Sequence, residues 1–319
     1  MSKVSVVIPN YNGTEYLKEC LASLSKCTMY DESEVIVVDN ASTDADVEEA
    51  VASFTGVRLI KRKDNGGFSV AVNEGIKAAE SEYVILLNND TTVSVNFIES
   101  LYLSISQKPV CFSVQSKMVS FKEPEIIDDA GDYYDIFGWA YALGKGKNAS
   151  AFTKERKIFA SCAGAAVYRK RIFEEIGYFD EKHFAYLEDI DIGYRARLYG
   201  YENFFDPDAV CFHYGSASSG SRYNEFKIRL AAANSLYIIR KNQPLWQRIL
   251  LFPSHFTGVV VKQLFFTMKG FGGAYHEGIK NGLKLCRGTK TKFTQNMQKK
   301  AFLIGFELLW GVFRRLQKM

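Results

Sequence analysis

Cysteine pairs are missing from this chain. Its six cysteines, at positions 20, 27, 111, 162, 211 and 286, are scattered and no two form a Cys-x-x-Cys pair. Neither a zinc ribbon nor a disulfide scaffold is implied, and reduced thiols in a cytosolic protein are expected. The opening MSKVSVVIPNYNG runs directly into a strand pattern, without the apolar core and cleavage site of a secretory leader, so none is expected. Internal repeats and low-complexity tracts are also lacking. Acidic residues nearly vanish after position 221: Glu225, Glu277 and Glu307 stand against 18 Lys/Arg, a net +15, while the remainder carries 22 basic and 33 acidic residues, or −11. Such asymmetry implies different surroundings for the two parts, with an anionic membrane or a nucleic acid near the basic one. The basic part has no recognisable nucleic-acid motif and its aromatics cluster with aliphatics, which argues against nucleic acid.

What is present is ample apolar material. The 319 residues are 47% hydrophobic and 14% aromatic. That suffices for one large domain or two and excludes global disorder. Strand patterns occur at VSVVI (4–8), EVIVVD (34–39), VRLI (57–60) and YVILL (83–87), as continuous apolar runs suited to parallel strands buried on both faces. Helical spacing separates them: Leu17, Leu21 and Leu24, then Ala71, Gly75 and Ala78 after the Gly66-Gly67 turn. This alternation predicts right-handed βαβ units and a mostly parallel α/β sheet flanked by helices. Further on, SCAGAAVYRK (161–170) predicts a strand entering a helix at 170–176. FAYLEDIDIGYRARLYG (184–200) places Glu188, Asp189 and Asp191 at a helix start, and FFDPDAVCFHYG (204–215) predicts a strand ending at His213. Residues 121–150, rich in Gly, Asp, Tyr and Trp, suggest a long loop or flap.

Ligands of open parallel sheets sit at the carboxyl ends of the strands. Asn10 and Tyr11 follow the first strand, Asp39 ends the second, and Asn88, Asn89 and Asp90 follow YVILL. Asn and Asp are good turn formers, but three polar tips on one edge point to a site. Asp90 and His213, each at a strand end, offer oxygen and imidazole ligands suited to Mn²⁺ or Mg²⁺. Asp39 is placed to accept from a nucleobase or ribose, and Asp189 to take a proton from an attacking hydroxyl. Together these are the parts for displacing a nucleoside diphosphate from a sugar.

SVVIPNYNG, VIVVDNASTD, DNGGFSVAVNEGI, VILLNND and FAYLEDIDIGYRARLYGY follow, in order, the motifs of glycosyltransferase family 2 across residues 3–215. The chain resembles bacterial rhamnosyltransferases of cell-surface polysaccharides and galactofuranosyltransferases. The resemblance implies a GT-A fold, a nucleotide-sugar donor and inversion at the anomeric carbon. It assigns Pro9, Tyr11 and Asp39 to nucleotide binding and Asn65 and Gly67 to the donor loop. Asn88, Asn89 and Asp90 match the metal-binding DxD motif, with an uncharged amide at its first position, and His213 matches a metal-coordinating histidine. Asp189 corresponds to the catalytic base, leaving Glu188 and Asp191 to orient the acceptor or cap the helix. The donor implied is dTDP-rhamnose; UDP-galactofuranose, -glucose, -galactose and -N-acetylglucosamine are alternatives. A non-catalytic scaffold of the same fold is a further alternative, against which the retained Asp90 and Asp189 argue.

The expected organisation is a catalytic domain over residues 1–220 and a helical basic, aromatic region over 221–319. Within the latter, ILLFPSHFTGVVVKQLFFTM (249–268) approaches bilayer length but contains Pro253, His255 and Lys262, and AFLIGFELLWGVFRRLQK (301–318) ends in basic residues. Both suggest interfacial amphipathic helices rather than spans. They would place the protein at the cytoplasmic face of a cell membrane beside a lipid-linked or glycan acceptor. A soluble helical subdomain or a homo-oligomer interface is the alternative.

Overall fold

The first four strands follow from their residues. β1 (Val4–Asn10), β2 (Ser33–Asp39), β3 (Val57–Lys61) and β4 (Tyr83–Leu87) pair in parallel in the order β3-β2-β1-β4. α1 (Thr14–Leu24), α2 (Val47–Ala52) and α3 (Phe68–Ala78) make the crossovers. Val6, Ile8, Val37, Ile85 and Leu87 are buried on one face of the sheet with Leu17 and Leu21 of α1. Val7, Val38 and Leu86 face the other way, onto Ala71, Val72 and Ile76 of α3. Burial on both faces is the reason these strands read as unbroken apolar runs. The computed structural model describes residues 2–44, 46–215 and 224–316.

Beyond β4 the sheet becomes mixed. β5 (Thr91–Val93) and α4 (Phe97–Ser106) lead to β6 (Cys111–Ser120); then come β7 (Ile127–Asp129), β8 (Asp132–Tyr134), β9 (Ala140–Ala142) and β10 (Arg156–Ile158). β11 (Ala165–Arg169) returns antiparallel between β4 and β6. α5 (Lys170–Ile176) and α6 (Glu188–Tyr199) precede β12 (Glu202–His213), which runs parallel to β6. The expected mostly parallel sheet is thus mixed: parallel through β4 and again between β6 and β12, with β11 antiparallel between them. The two reversals around β11 cancel, so β12 runs in the sense of β4 and their carboxyl ends share an edge.

Residues 121–150 are not the expected loop or flap. They hold β7 and the β8–β9 hairpin, with Ile127, Ala130 and Tyr134 buried, because the aromatics of β8 find apolar partners in Phe159 and Tyr194.

The C-terminal part comprises α7 (Glu225–Asn242), α8 (Leu245–Leu250), α9 (Phe252–Met268), α10 (Gly272–Leu285) and α11 (Gln295–Leu316). The run 249–268 is divided at Leu251, and Pro253 falls in the first turn of α9, where its missing N–H is tolerated. Among the described residues no helix is long and apolar enough to cross a membrane. Ile238, Leu251, Ile304 and Leu308 share one core with Tyr134, Phe159, Tyr194 and Phe205, so the parts before and after residue 220 are continuous in packing.

Candidate active site

The polar strand tips form a hydrogen-bonded chain. Asn89 Nδ2, beyond β4, donates to Asn10 Oδ1 at 2.7 Å, and Asn10 Nδ2 donates to Asp39 Oδ1 at 3.2 Å. Ser42 Oγ completes it, donating to Asp39 Oδ1 at 2.5 Å. Asn40 braces the donor loop: its amide donates to Asn65 Oδ1 at 2.8 Å and to the Gly67 carbonyl at 3.2 Å. Gly67 has φ of +85°, and a Cβ there would lie 2.3 Å from the Phe184 carbonyl oxygen, so only glycine fits. Next to it, the Phe68 N–H donates to that same carbonyl at 2.8 Å, tying the donor loop to the segment before α6.

The shared edge of β4 and β12 brings Asp90 and His213 together. His213 Nε2 lies 3.5 Å from Asp90 Oδ1, and His213 Nδ1 lies 2.7 Å from Asp128 Oδ2. Asp128 in turn accepts from Lys145 Nζ at 2.5 Å. Burial alone would lower the His213 pKa, but the hydrogen bonds to Asp128 and Asp90 outweigh it and raise the pKa to about 9. A carboxylate fixing the far nitrogen of an imidazole is the usual support of a ligating histidine. The Asp90–His213 pair, one oxygen and one nitrogen donor open to the cleft, therefore fits Mn²⁺ or Mg²⁺.

At the third corner, α6 begins on two residues in left-handed backbone, Tyr186 with φ of 70° and Leu187 with φ of 66°. Neither is glycine, and such strain persists only where surroundings impose it. The support comes from α7, where the buried Asn234 donates to the Ala185 carbonyl at 3.0 Å and the Tyr186 carbonyl at 2.7 Å. From α3, Ser69 Oγ donates to the His183 carbonyl at 2.8 Å. The clamped turn presents Glu188 and Asp189 at the head of the helix, where Asp189 Oδ1 accepts from the Ile190 N–H at 2.7 Å.

These acids are electrostatically coupled. Burial raises the Asp189 pKa, opposed by the Ile190 N–H and a side-chain hydrogen bond with Asp132. Asp132, on β8, is raised well above the carboxylate range by burial and by the charges of Asp129 and Asp189. The hydrogen bond between them raises Asp132 and lowers Asp189, so it favours the proton on Asp132. Glu188 is pushed up to about 8 by burial and the Asp189 charge, and its Oε2 has no hydrogen-bond partner among the described residues. Ligand atoms of Asp129, Asp132 and Cys162 lie within 4.8 Å of one another, so this acidic group adjoins the same wall.

A cleft of about 640 Å³ is lined by Pro9, Tyr11, Asn65, Gly67, Asn88, Asn89, Asp90, Glu188, Asp189 and His213. The structure thus brings together ten of the residues singled out in the sequence. Asp39 and Asp191 do not line it. Asp39 lies behind Asn10, buried, with its oxygens engaged by Asn10 and Ser42. Asp191 is fully buried beneath α6; Lys241 Nζ lies at 2.9 Å, Arg195 Nε at 3.0 Å and Asn242 Nδ2 at 2.8 Å. Its position is that of an internal ion-pair centre rather than an acceptor contact. Sequence reasoning missed Asn10 and Asn40 as braces, and Asp128, Asp132, Lys227 and Asn234 altogether. Asp128 and Asp132 had a signal, the acid-rich run IIDDAGDYYD, while Lys227, which lines the cleft from α7, had none.

Residues 5–177, just over half of the chain, match the family model described as Glycosyl transferase family 2. The chain belongs to glycosyl transferase family 2. Among curated members it is 30% identical to "Glycosyltransferase GlyA" of Streptococcus pneumoniae, over 62% of this chain and 30% of that one. It is 29% identical to an "N-acetylglucosaminyl-diphospho-decaprenol L-rhamnosyltransferase" of Mycobacterium tuberculosis, over 67% of this chain and 77% of the other. The chain spans only 25% to 36% of the length of the first three curated relatives. Among solved structures, "GalNAc-T7 with UDP, GalNAc and Mn2+" aligns over 97% of this chain and 58% of that one, with a TM-score of 0.64 at 16% identity. The mannosyltransferase PcManGT of Pyrobaculum calidifontis, "in complex with GDP-Man and Mn2+", aligns over 98% of this chain and 87% of its own, with a TM-score of 0.55 at 15% identity. At these identities the likeness is one of fold, GT-A, which this family 2 chain shares.

Proposed function

We propose that the chain is an inverting glycosyltransferase that moves a sugar from a nucleotide-sugar to an acceptor hydroxyl in cell-surface glycan synthesis. The observation that carries this reading is the convergence, in one cleft, of the Asp90–His213 pair and Asp189 at the head of α6. Fold alone would not license it.

In this reading the nucleotide lies along the tips of β1 and β2, beside Pro9, Tyr11 and the loop of Asn65 and Gly67. A Mn²⁺ or Mg²⁺ ion held by Asp90 and His213 would offset the charge of the leaving diphosphate. Lys227, which also lines the cleft, adds a cation. Asp189 takes the proton of the acceptor hydroxyl as its oxygen bonds to the anomeric carbon and the bond to the diphosphate breaks. Its raised basicity suits that role. Asp132 holds its proton and donates to Asp189, fixing that carboxylate.

The donor favoured is dTDP-L-rhamnose, and the acceptor a lipid-linked glycan at the cytoplasmic face of a membrane. Both are supported by the resemblance and by the printed name of the mycobacterial relative. The test is a panel of nucleotide-sugars assayed for hydrolysis and transfer with Mn²⁺, Mg²⁺ and chelator. Turnover of dTDP-rhamnose is expected; turnover of a UDP-sugar alone overturns the donor, and turnover of none overturns the enzyme.

A further inference from the structure

Three C-terminal helices carry continuous apolar stripes on their outer faces. On α9, Phe252, Phe256, Val260, Leu264 and Met268 recur every four residues, and each is exposed, Met268 by 80%. α11 repeats the pattern with Phe302, Phe306, Trp310 and Phe313 exposed, while Ala301, Ile304 and Leu308 on its inner face are buried. Leu245, Ile249 and Leu250 extend the surface along α8, which is fastened to α11 by Trp246 Nε1 donating to Gln298 Oε1 at 2.7 Å. Soluble monomers rarely expose contiguous apolar patches of this extent.

Both helices back onto the β8–β9 hairpin. A Cβ at Gly258 of α9 would lie 2.4 Å from the Phe137 carbonyl oxygen, and one at Gly311 of α11 would lie 2.7 Å from that of Tyr134. The stripes lie on the faces of α9 and α11 opposite these contacts. Beside the α11 stripe opens a second cavity of about 360 Å³, lined by Trp310 and Leu303, by Lys300 and Arg314, and by the ion pairs Lys157–Glu202 and Arg197–Glu307, so its basic groups outnumber its acids.

We propose that the outer face of α8, α9 and α11 is a docking surface for an anionic bilayer, with the helices lying in the plane of one leaflet and the basic cavity taking a lipid phosphate. Charge decides between occupants. Residues 222–319 carry a net +15, so the two C-terminal regions of a dimer would repel, while an anionic leaflet attracts the region that bears the face. The helices are too short or too polar to span, and their aromatics suit the interfacial zone. The inference deepens the membrane placement proposed above. β9, on which these helices rest through the hairpin, also lines the catalytic cleft, so docking would set the cleft close to a lipid-linked acceptor.

The experiment is co-sedimentation of the full chain with vesicles of phosphatidylcholine, with and without phosphatidylglycerol, at low and high salt. Binding should require the anionic lipid and should weaken with salt without vanishing, since only the charge contribution is screened. Phe256→Asp with Phe306→Asp, both on exposed positions, should weaken binding about tenfold or more. Lys300→Ala with Arg314→Ala should reduce only the salt-sensitive part. Donor hydrolysis in solution, unchanged in the first pair, keeps this test separate from the transferase reading. Absence of binding at low salt overturns the proposal, as does full binding by the Phe256→Asp, Phe306→Asp protein. Inorganic phosphate competing away all vesicle binding would reduce the site to a phosphate pocket. Sedimentation velocity showing a dimer that the same two substitutions dissociate, without vesicle binding, would assign the face to a second copy.

Discussion

The side-chain amide of Asn234 lies 2.7 Å from the carbonyl oxygen of Tyr186, the first of two residues held in left-handed backbone before the acids of α6. Asn234→Leu keeps the volume and removes both bonds. Stability is expected to fall by about 1–3 kcal/mol. Because the turn sets the position of Asp189, kcat should fall while KM for the donor holds. A drop in the urea midpoint with unchanged kcat would show that the clamp only stabilises.

Asp189→Asn keeps shape and removes the proton acceptor. Transfer should fall on the order of 10²-fold or more while nucleotide binding persists. Near-normal turnover would remove Asp189 from the base role.

Asp90→Ala should abolish metal-dependent binding of a nucleoside diphosphate, and His213→Ala should weaken it. Asp128→Asn, which alters the partner of the far nitrogen of His213 and the ion pair with Lys145, should lower metal affinity by roughly 10–100-fold. Calorimetry with Mn²⁺ and with chelator measures all three. Equal binding by the wild type under both conditions would dismiss the ion.

Asp191→Ala separates structure from chemistry. It strips the counter-charge from Lys241 and Arg195 beneath α6, and breaking a buried pair in this way costs about 3–5 kcal/mol. Chemical denaturation of this variant beside Asp189→Asn tests the contrast; equal stability of the two would return Asp191 to the acceptor.

His183 predicts an acid sensitivity. It is fully buried, neither ring nitrogen has a hydrogen-bond partner among the described residues, and burial lowers its pKa from 6.5 to about 4. The unfolded chain therefore binds a proton first. The resulting stability is present above pH 6.5 and is lost as pH falls from there toward about 4, by up to about 3 kcal/mol. His183→Gln should flatten the difference in urea midpoint across that window. An identical pH slope in both proteins would refute the assignment.

The parallel half of the sheet was legible because strands buried on both faces must be apolar throughout, as YVILL is, and the site because turn formation alone accounts poorly for three polar tips, at Asn10, Asp39 and Asn89, on one edge. The head of α6 was legible from its acids. β7 to β9 were not, since three-residue strands leave no periodic trace. β11 was legible as a strand in SCAGAAVYRK, but its antiparallel sense was not, because an antiparallel strand between two neighbours looks like any buried strand in one dimension. Asp191 was misplaced because its partner Lys241 lies 50 positions away, a distance that local pattern does not register. The division at Leu251 escaped because apolar residues continue across it.

The paired reversals around β11 also bear on synthesis. A nascent chain that has emerged only through β4 already owns the tips that face a nucleotide, yet Asp90 has no histidine beside it. That neighbour arrives only when β12 has docked along β6. A partly made chain therefore lacks the ion-holding pair, and the capacity to hold a donor together with its cation is acquired with the completed sheet.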